Sequence, residues 1–188
     1  FAFAELLNQE ALALQADGVD IVQFDEPAFN VYMADAAAWG VQALERAAQG
    51  LTCKTAVHIC YGYGIEANIA WKKTLGEQWR QYETVFPALA ASRIDQVSLE
   101  CIHSQVPPEL MALLAGKDVM VGVIDVASDV VETPEDVADT IGRALQFVPK
   151  NRLIACTNCG LAPMQRAVAE AKLQALAAGA ALARQRFG

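Results

Sequence analysis

The sequence has no long apolar run. Hydrophobic residues make up 54% of its 188 positions and mean hydropathy is +0.24, yet they are dispersed and never approach the ~20 in a row that a membrane-spanning helix needs. It also has no basic cluster. With 14 Lys and Arg against 22 Asp and Glu, the net charge is −8, which argues against nucleic acid as the main partner. No basic segment and cleavage site open the chain, so a secretory signal is not expected. The first residue is Phe1, which fits an interior point of a longer protein. Five cysteines, an odd number, then point to reduced thiols in the cytoplasm, some free to bind metal. Neither a dinucleotide glycine fingerprint nor a phosphate loop follows any strand-like stretch.

What is present alternates. "ELLNQEALALQADG" carries leucines at helical spacing and stops at Gly18, and "VDIVQFDEP" reads as a strand ended by Pro27. A helix is expected over roughly 35–49, then the strand "CKTAVHIC". A mostly helical section over about 65–92 follows, then strands "IDQVSLE" and "DVMVGVID" separated by a helix that Pro107 and Pro108 could start. "TPEDVADTIGRALQFV" has Thr133 as N-cap and acids in the first turn. The strand "RLIACT" leads through "NCGLAP" into an alanine-rich terminal helix.

Strands alternating with helices imply parallel pairing through right-handed crossovers. The polar residues of interest fall at strand carboxyl ends: Asp25, Glu26, His58, Cys60, Glu100, Asp125 and Cys159. A (β/α)8 barrel keeps its active site there, on every strand rather than at one switch point. A whole barrel takes eight strands and typically ~250 residues. The expectation is therefore α/β, a partial (β/α)8 TIM barrel comprising roughly the last five βα units. Residues 1–188 would then be the C-terminal portion of a single catalytic domain. From Cys53 to Asp95 is 42 positions and from Asp95 to Asp118 only 23, so about 65–92 is expected to hold an extra helix or lid over the mouth.

Zinc favours four ligands drawn from cysteine sulfur, histidine nitrogen and carboxylate oxygen. His58 and Cys60 are two apart on an extended segment and share a face. Glu100 closes the next strand and Cys159 follows the last. In a barrel these ends converge, giving one His, two Cys and one Glu. Cys156 and Cys159 also form C-x-x-C, readable as a redox pair or an alternative metal pair. Cys53 and Cys101 read as core fillers, His103 as a loop residue, and Lys72, Lys73 and Arg80 as a solvated helix face.

Taken in order, "VQFDEPAF", "HICYG", "VSLE" and "TNCGL" resemble the catalytic half of cobalamin-independent methionine synthase, over nearly the whole chain. The resemblance implies that His58, Cys60, Glu100 and Cys159 hold a catalytic Zn2+. It also implies that Asp25, with Glu26 beside it, binds substrate, Asp25 through the amino group of homocysteine. The implied reaction moves a methyl group to the homocysteine thiol to give methionine. Coordination by zinc lowers a thiol's pKa, so the reactive thiolate exists near neutral pH. Glu100, the hardest of the four donors, is the one expected to loosen as a substrate sulfur arrives. Longer members of the family carry D-I-H-S on the strand before the last, with a histidine that handles protons; here "IDVASD" puts Ala127 in its place. That leaves the donor as methyltetrahydrofolate or a methylcorrinoid, and favours the corrinoid, whose departure needs no proton. The alternatives are a zinc methyltransferase of another thiol such as coenzyme M, and an inert zinc-binding fragment.

Overall fold

The structure is a computed structural model of the chain. It describes residues 1–29, 31–60, 70–102 and 104–188, with Gln81 as backbone only. Helix α1 (Ala2–Ala16) ends at Gly18, whose φ of +95° reverses the chain. Strand β1 (Ile21–Asp25) leads to a short helix α2 (Met33–Asp35), a π-helical turn (Ala36–Gly40) and helix α3 (Val41–Ala47). The expected helix over 35–49 is thus broken by an off-register turn. Strand β2 (Lys54–His58) and strand β3 (Gln96–Glu100) flank the long connection, from which helix α4 (Phe86–Ala91) is described. Pro108 opens a 3-10 segment (Pro108–Leu114) in place of the expected helix, and strand β4 (Asp118–Ile124) follows. Helix α5 (Pro134–Ala144), strand β5 (Leu153–Thr157) and helix α6 (Arg166–Phe187) complete the order. Thr133 and Asp136 form a reciprocal capping box at the start of α5.

The five strands form one parallel sheet in the order β1-β2-β3-β4-β5. The order follows the chain with no reversal, unlike a doubly wound sheet. Central strands are covered on both faces: all five residues of β3 are buried, and Val57, Val97, Val121 and Val123 are inaccessible to water. That is the condition of a buried parallel strand and explains its branched composition. Tyr82, Val85, Phe86 and Leu89 are equally buried. The later part of the expected lid therefore packs into the core, where hydrophobic burial stabilises it. Residues 65–69 of that segment lie outside the described residues. No described helix is long and apolar enough to cross a membrane.

The outer strands differ. Ile21 on β1 is 47% exposed and Ile154 on β5 is 36% exposed. The leucines of α1 make a helix as expected, but Leu6, Leu7, Leu12 and Leu14 face water, leaving Ala4 and Ala11 as its buried positions. Beside β1 is a cavity of about 580 Å³, lined by Phe3, Leu7, Phe24, Phe29 and Trp39 among others.

At the amino ends of the strands, polar groups are mutually satisfied. Asp118 accepts from Lys54 Nζ (3.0 Å), Gln96 Nε2 (3.4 Å) and Arg152 (3.4 Å). Asp95 accepts from the Thr55 amide (2.8 Å) and hydroxyl (3.0 Å). These bonds tie the starts of four successive strands.

Candidate metal centre

The opposite ends are built differently. β2 stops at His58, and the Ile59 amide continues the ladder by donating to the Ser98 carbonyl (3.1 Å). Cys60 thus lies two residues past the strand, still on the His58 side. β3 ends on Glu100, and Cys159 follows β5 by two residues. One ligand atom from each of His58, Cys60, Glu100 and Cys159 lies within 4.8 Å of the others. The two sulfurs are 3.6 Å apart although 99 positions separate them in sequence. This is a donor set able to hold a metal ion.

His58 is oriented for ligation. It is buried, and its Nδ1 meets Ser98 Oγ at 3.0 Å. With the proton on Nδ1 donated to Ser98, Nε2 keeps its lone pair, and Nε2 has no hydrogen-bond partner among the described residues. A buried imidazole nitrogen left this way is costly unless something binds it. The sulfurs report the same need. The Cys159 thiol is pushed well above its usual range by its contact with Cys60, then by burial and by negative charge on Cys60 and Glu100. Two thiolates cannot share this space unless a cation joins them.

Lys72 is half-buried with its charge near this cluster. Burial lowers its pKa, while the negative charges of Glu100, Cys60 and Cys159 oppose that. It therefore departs from the solvated face expected of it. Arg80 conforms to that expectation, pairing at the surface with Glu83 and with Glu109 (2.9 Å). Cys156 does not join its C-x-x-C partner: its sulfur faces Ser98 Oγ at 3.9 Å, and burial raises its pKa to about 11. Cys101 is raised further, to about 12, mainly by burial.

Asp25 ends β1 directly beside His58 in register, exposed, with Oδ1 accepting from Gln23 (2.9 Å). The Glu26 amide donates to the His58 carbonyl (2.8 Å), which locks the two strand ends together. Burial raises the Glu26 pKa, opposed by the bond from the Ala28 amide to its carboxylate (3.0 Å). Both carboxylates line the cavity beside β1. Asp125 stays outside the four-residue cluster, its Oδ1 accepting from the Ala127 amide (2.8 Å). His103 and the loop 61–64 lie outside the described residues.

Sequence reasoning missed Ser98, Asn158 and the pair Lys172–Glu132. Lys172 is wholly buried and donates to the Glu132 carboxylate (2.9 Å) and the Val130 carbonyl (2.5 Å), while Glu132 accepts from the Asp125 amide (2.8 Å). Only a lysine within an alanine-rich apolar stretch could have signalled it.

The class this defines is an α/β domain with a parallel sheet and, at its strand carboxyl ends, a His-Cys-Glu-Cys cluster able to hold a metal ion. Residues 1–182 match the family described as cobalamin-independent synthase, catalytic domain, and the chain belongs to that family. A methionine synthase of Saccharolobus solfataricus is 31% identical over 187 residues, covering 98% of this chain and 51% of its own length. A B12-independent methionine synthase from Shewanella sp. W3-18-1, solved in complex with selenomethionine, is 59% identical with a TM-score of 0.93, covering 98% of this chain and 54% of that one. A structure from Listeria monocytogenes, 18% identical with a TM-score of 0.65, again covers 98% of this chain and 54% of its own, and shares the fold. The chain spans about half the length of the relatives it matches.

Proposed function

We propose that the chain is the C-terminal portion of a (β/α)8 TIM-barrel domain that uses zinc to transfer a methyl group to the thiol of homocysteine, giving methionine. The observation carrying this reading is the convergence of His58, Cys60, Glu100 and Cys159 on one point, with His58 Nε2 unpartnered among the described residues. Two sulfurs each ~2.3 Å from a tetrahedral zinc would sit roughly 3.8 Å apart, close to the 3.6 Å between Cys60 and Cys159. The barrel reading is supported by the unreversed strand order, the exposed β1 and β5 edges and the water-facing leucines of α1. All three fit a sheet that further βα units would extend.

Zinc, when bound, supplies a Lewis acid that holds a substrate thiol as thiolate near neutral pH. Two thiolates and a carboxylate carry three negative charges, one more than a divalent ion offsets, and half-buried Lys72 faces the remainder. Glu100, the hardest donor, is the ligand expected to give way to an incoming sulfur. Asp25, exposed beside His58, would accept from the substrate ammonium, with Glu26 shaping the same wall of the cavity. The homocysteine sulfur then forms a bond to the methyl carbon as the donor's bond to that carbon breaks, its electron pair remaining with the donor.

With methyltetrahydrofolate the departing nitrogen takes up a proton, and Ala127 offers none. A methylcorrinoid needs no proton, so Ala127 favours it as donor, against the family's description as cobalamin-independent. The matched relatives are methionine synthases, which disfavours coenzyme M as acceptor. Five free cysteines fit a cytoplasmic setting. The test is metal analysis of the full-length protein with a methyl-transfer assay offering methylcobalamin and methyltetrahydrofolate separately. Stoichiometric zinc and turnover with methylcobalamin are expected. Turnover with methyltetrahydrofolate alone would overturn the donor, and absence of bound metal the whole reading.

A further inference from the structure

Glu100 ends β3 and Cys159 lies two residues beyond β5, strands that do not touch. β3 and β5 are separated by β4, a spacing of about 9.5 Å at the usual inter-strand distance, yet their donor atoms lie within 4.8 Å. Backbone pairing alone does not set that approach. A buried side chain bridges these strand ends. Asn158, immediately before Cys159, is completely buried. Its Oδ1 accepts from the amides of Cys101 (3.2 Å) and Ile102 (3.5 Å), and its Nδ2 donates to the Ile102 carbonyl (2.8 Å). Its own amide donates to the Ile124 carbonyl at the end of β4 (2.9 Å). One residue therefore joins the ends of β3, β4 and β5.

The space for this tie comes from β4. Gly122 lies in register between Glu100 and Cys156. A Cβ added there would come within 2.3 Å of Asn158 Oδ1, 2.8 Å of the Leu99 carbonyl oxygen and 2.9 Å of Asn158 Cα. Those contacts are far too short, two of them with backbone atoms that cannot swing away. Only a carboxamide both accepts from two amides and donates to a carbonyl at this reach.

We propose that Asn158 and Gly122 form a positioning device that holds Glu100 and Cys159 at ligating separation across β4. The proposal deepens the metal reading above and rests on it. The device touches neither substrate nor metal, so its signature lies in the geometry of the donor set.

The experiment uses the full-length protein loaded with Co2+ as a spectroscopic stand-in for zinc. Wild type, Asn158→Ala, Asn158→Asp and Gly122→Ala are compared by Co2+ dissociation constant, visible ligand-field spectrum and thermal midpoint of the metal-free protein. Leu114→Ala, a fully buried core change in the 3-10 segment that precedes β4, serves as control. Asn158→Ala is expected to weaken Co2+ binding by roughly 10–100-fold, the usual effect of losing an outer partner of a metal site, and to alter the spectrum. Asn158→Asp keeps the acceptor and loses the donor, so a smaller loss is expected, and it remains informative if the alanine variant fails to fold. Leu114→Ala should lower the midpoint and leave affinity and spectrum unchanged. The proposal is overturned if the Asn158 variants lower the midpoint as Leu114→Ala does while binding Co2+ with wild-type affinity and spectrum. Wild-type protein that binds no Co2+ would overturn the metal reading and this proposal together.

Discussion

The two ends of the sheet use polar residues in opposite ways. At the amino ends, Asp118 takes bonds from Lys54, Gln96 and Arg152, and Asp95 takes two from Thr55. Each acid has its partners in place. At the carboxyl ends, two thiols crowd together, a buried imidazole nitrogen has no described hydrogen-bond partner, and a half-buried lysine faces the cluster. One end is finished by the chain itself; the other presents a donor set able to hold a metal ion. Polar burial is thus a mark of stability at one end and of function at the other.

Substitutions should separate the two. The largest effect is expected from Cys159→Ala, which removes a donor: metal binding should fall by more than the roughly 10–100-fold typical of an outer partner, as read by equilibrium dialysis. Lys172→Met comes next. It leaves Glu132 buried without its cation, and breaking such a pair costs about 3–5 kcal/mol, measurable by denaturant unfolding. Ser98→Ala should weaken metal binding by roughly 10-fold or more by removing the partner that orients His58 through Nδ1, and should cost about 1–3 kcal/mol of metal-free stability by leaving that buried nitrogen unsatisfied. The smallest effect is expected from Asp118→Asn, about 1 kcal/mol or less for a partly exposed ion pair, with metal affinity untouched. Wild-type metal affinity in Cys159→Ala, or weakened metal binding in Asp118→Asn, would erase the contrast.

Acid should act through the amino end. Burial pushes the Asp118 carboxyl up, but bonds from Lys54 and Gln96 and the charges of Lys54 and Arg152 outweigh it and hold its pKa below 3.8. Because the folded value is depressed, its contribution is fully present above the unfolded value and fades as pH falls through the folded one. The Asp118→Asn protein should therefore lose less stability than wild type below about pH 4, as followed by thermal unfolding.

Much of this was legible from local pattern. The five strands, the Thr133 cap and the four donors were readable because branched runs, capping residues and strand-end placement are short-range signals. Helix α1 formed as its spacing implied, but its leucines stayed in water, since periodicity marks a face without saying what covers it. The π-helical turn at Ala36–Gly40 and the 3-10 segment at Pro108 escaped because both are backbone adjustments to packing. Ser98, Asn158 and Lys172 escaped for another reason. Each acts on a residue at least 40 positions away, and nothing local distinguishes a serine that steers an imidazole from one that does not.

The 99-position gap between Cys60 and Cys159 has a practical corollary. No excised peptide could reproduce the site, because His58 and Cys60, Glu100, and Cys159 sit on three remote stretches. Chelation strength would then report long-range assembly, so a simple colorimetric metal titration doubles as a gauge of whether distant parts of the polypeptide have come together.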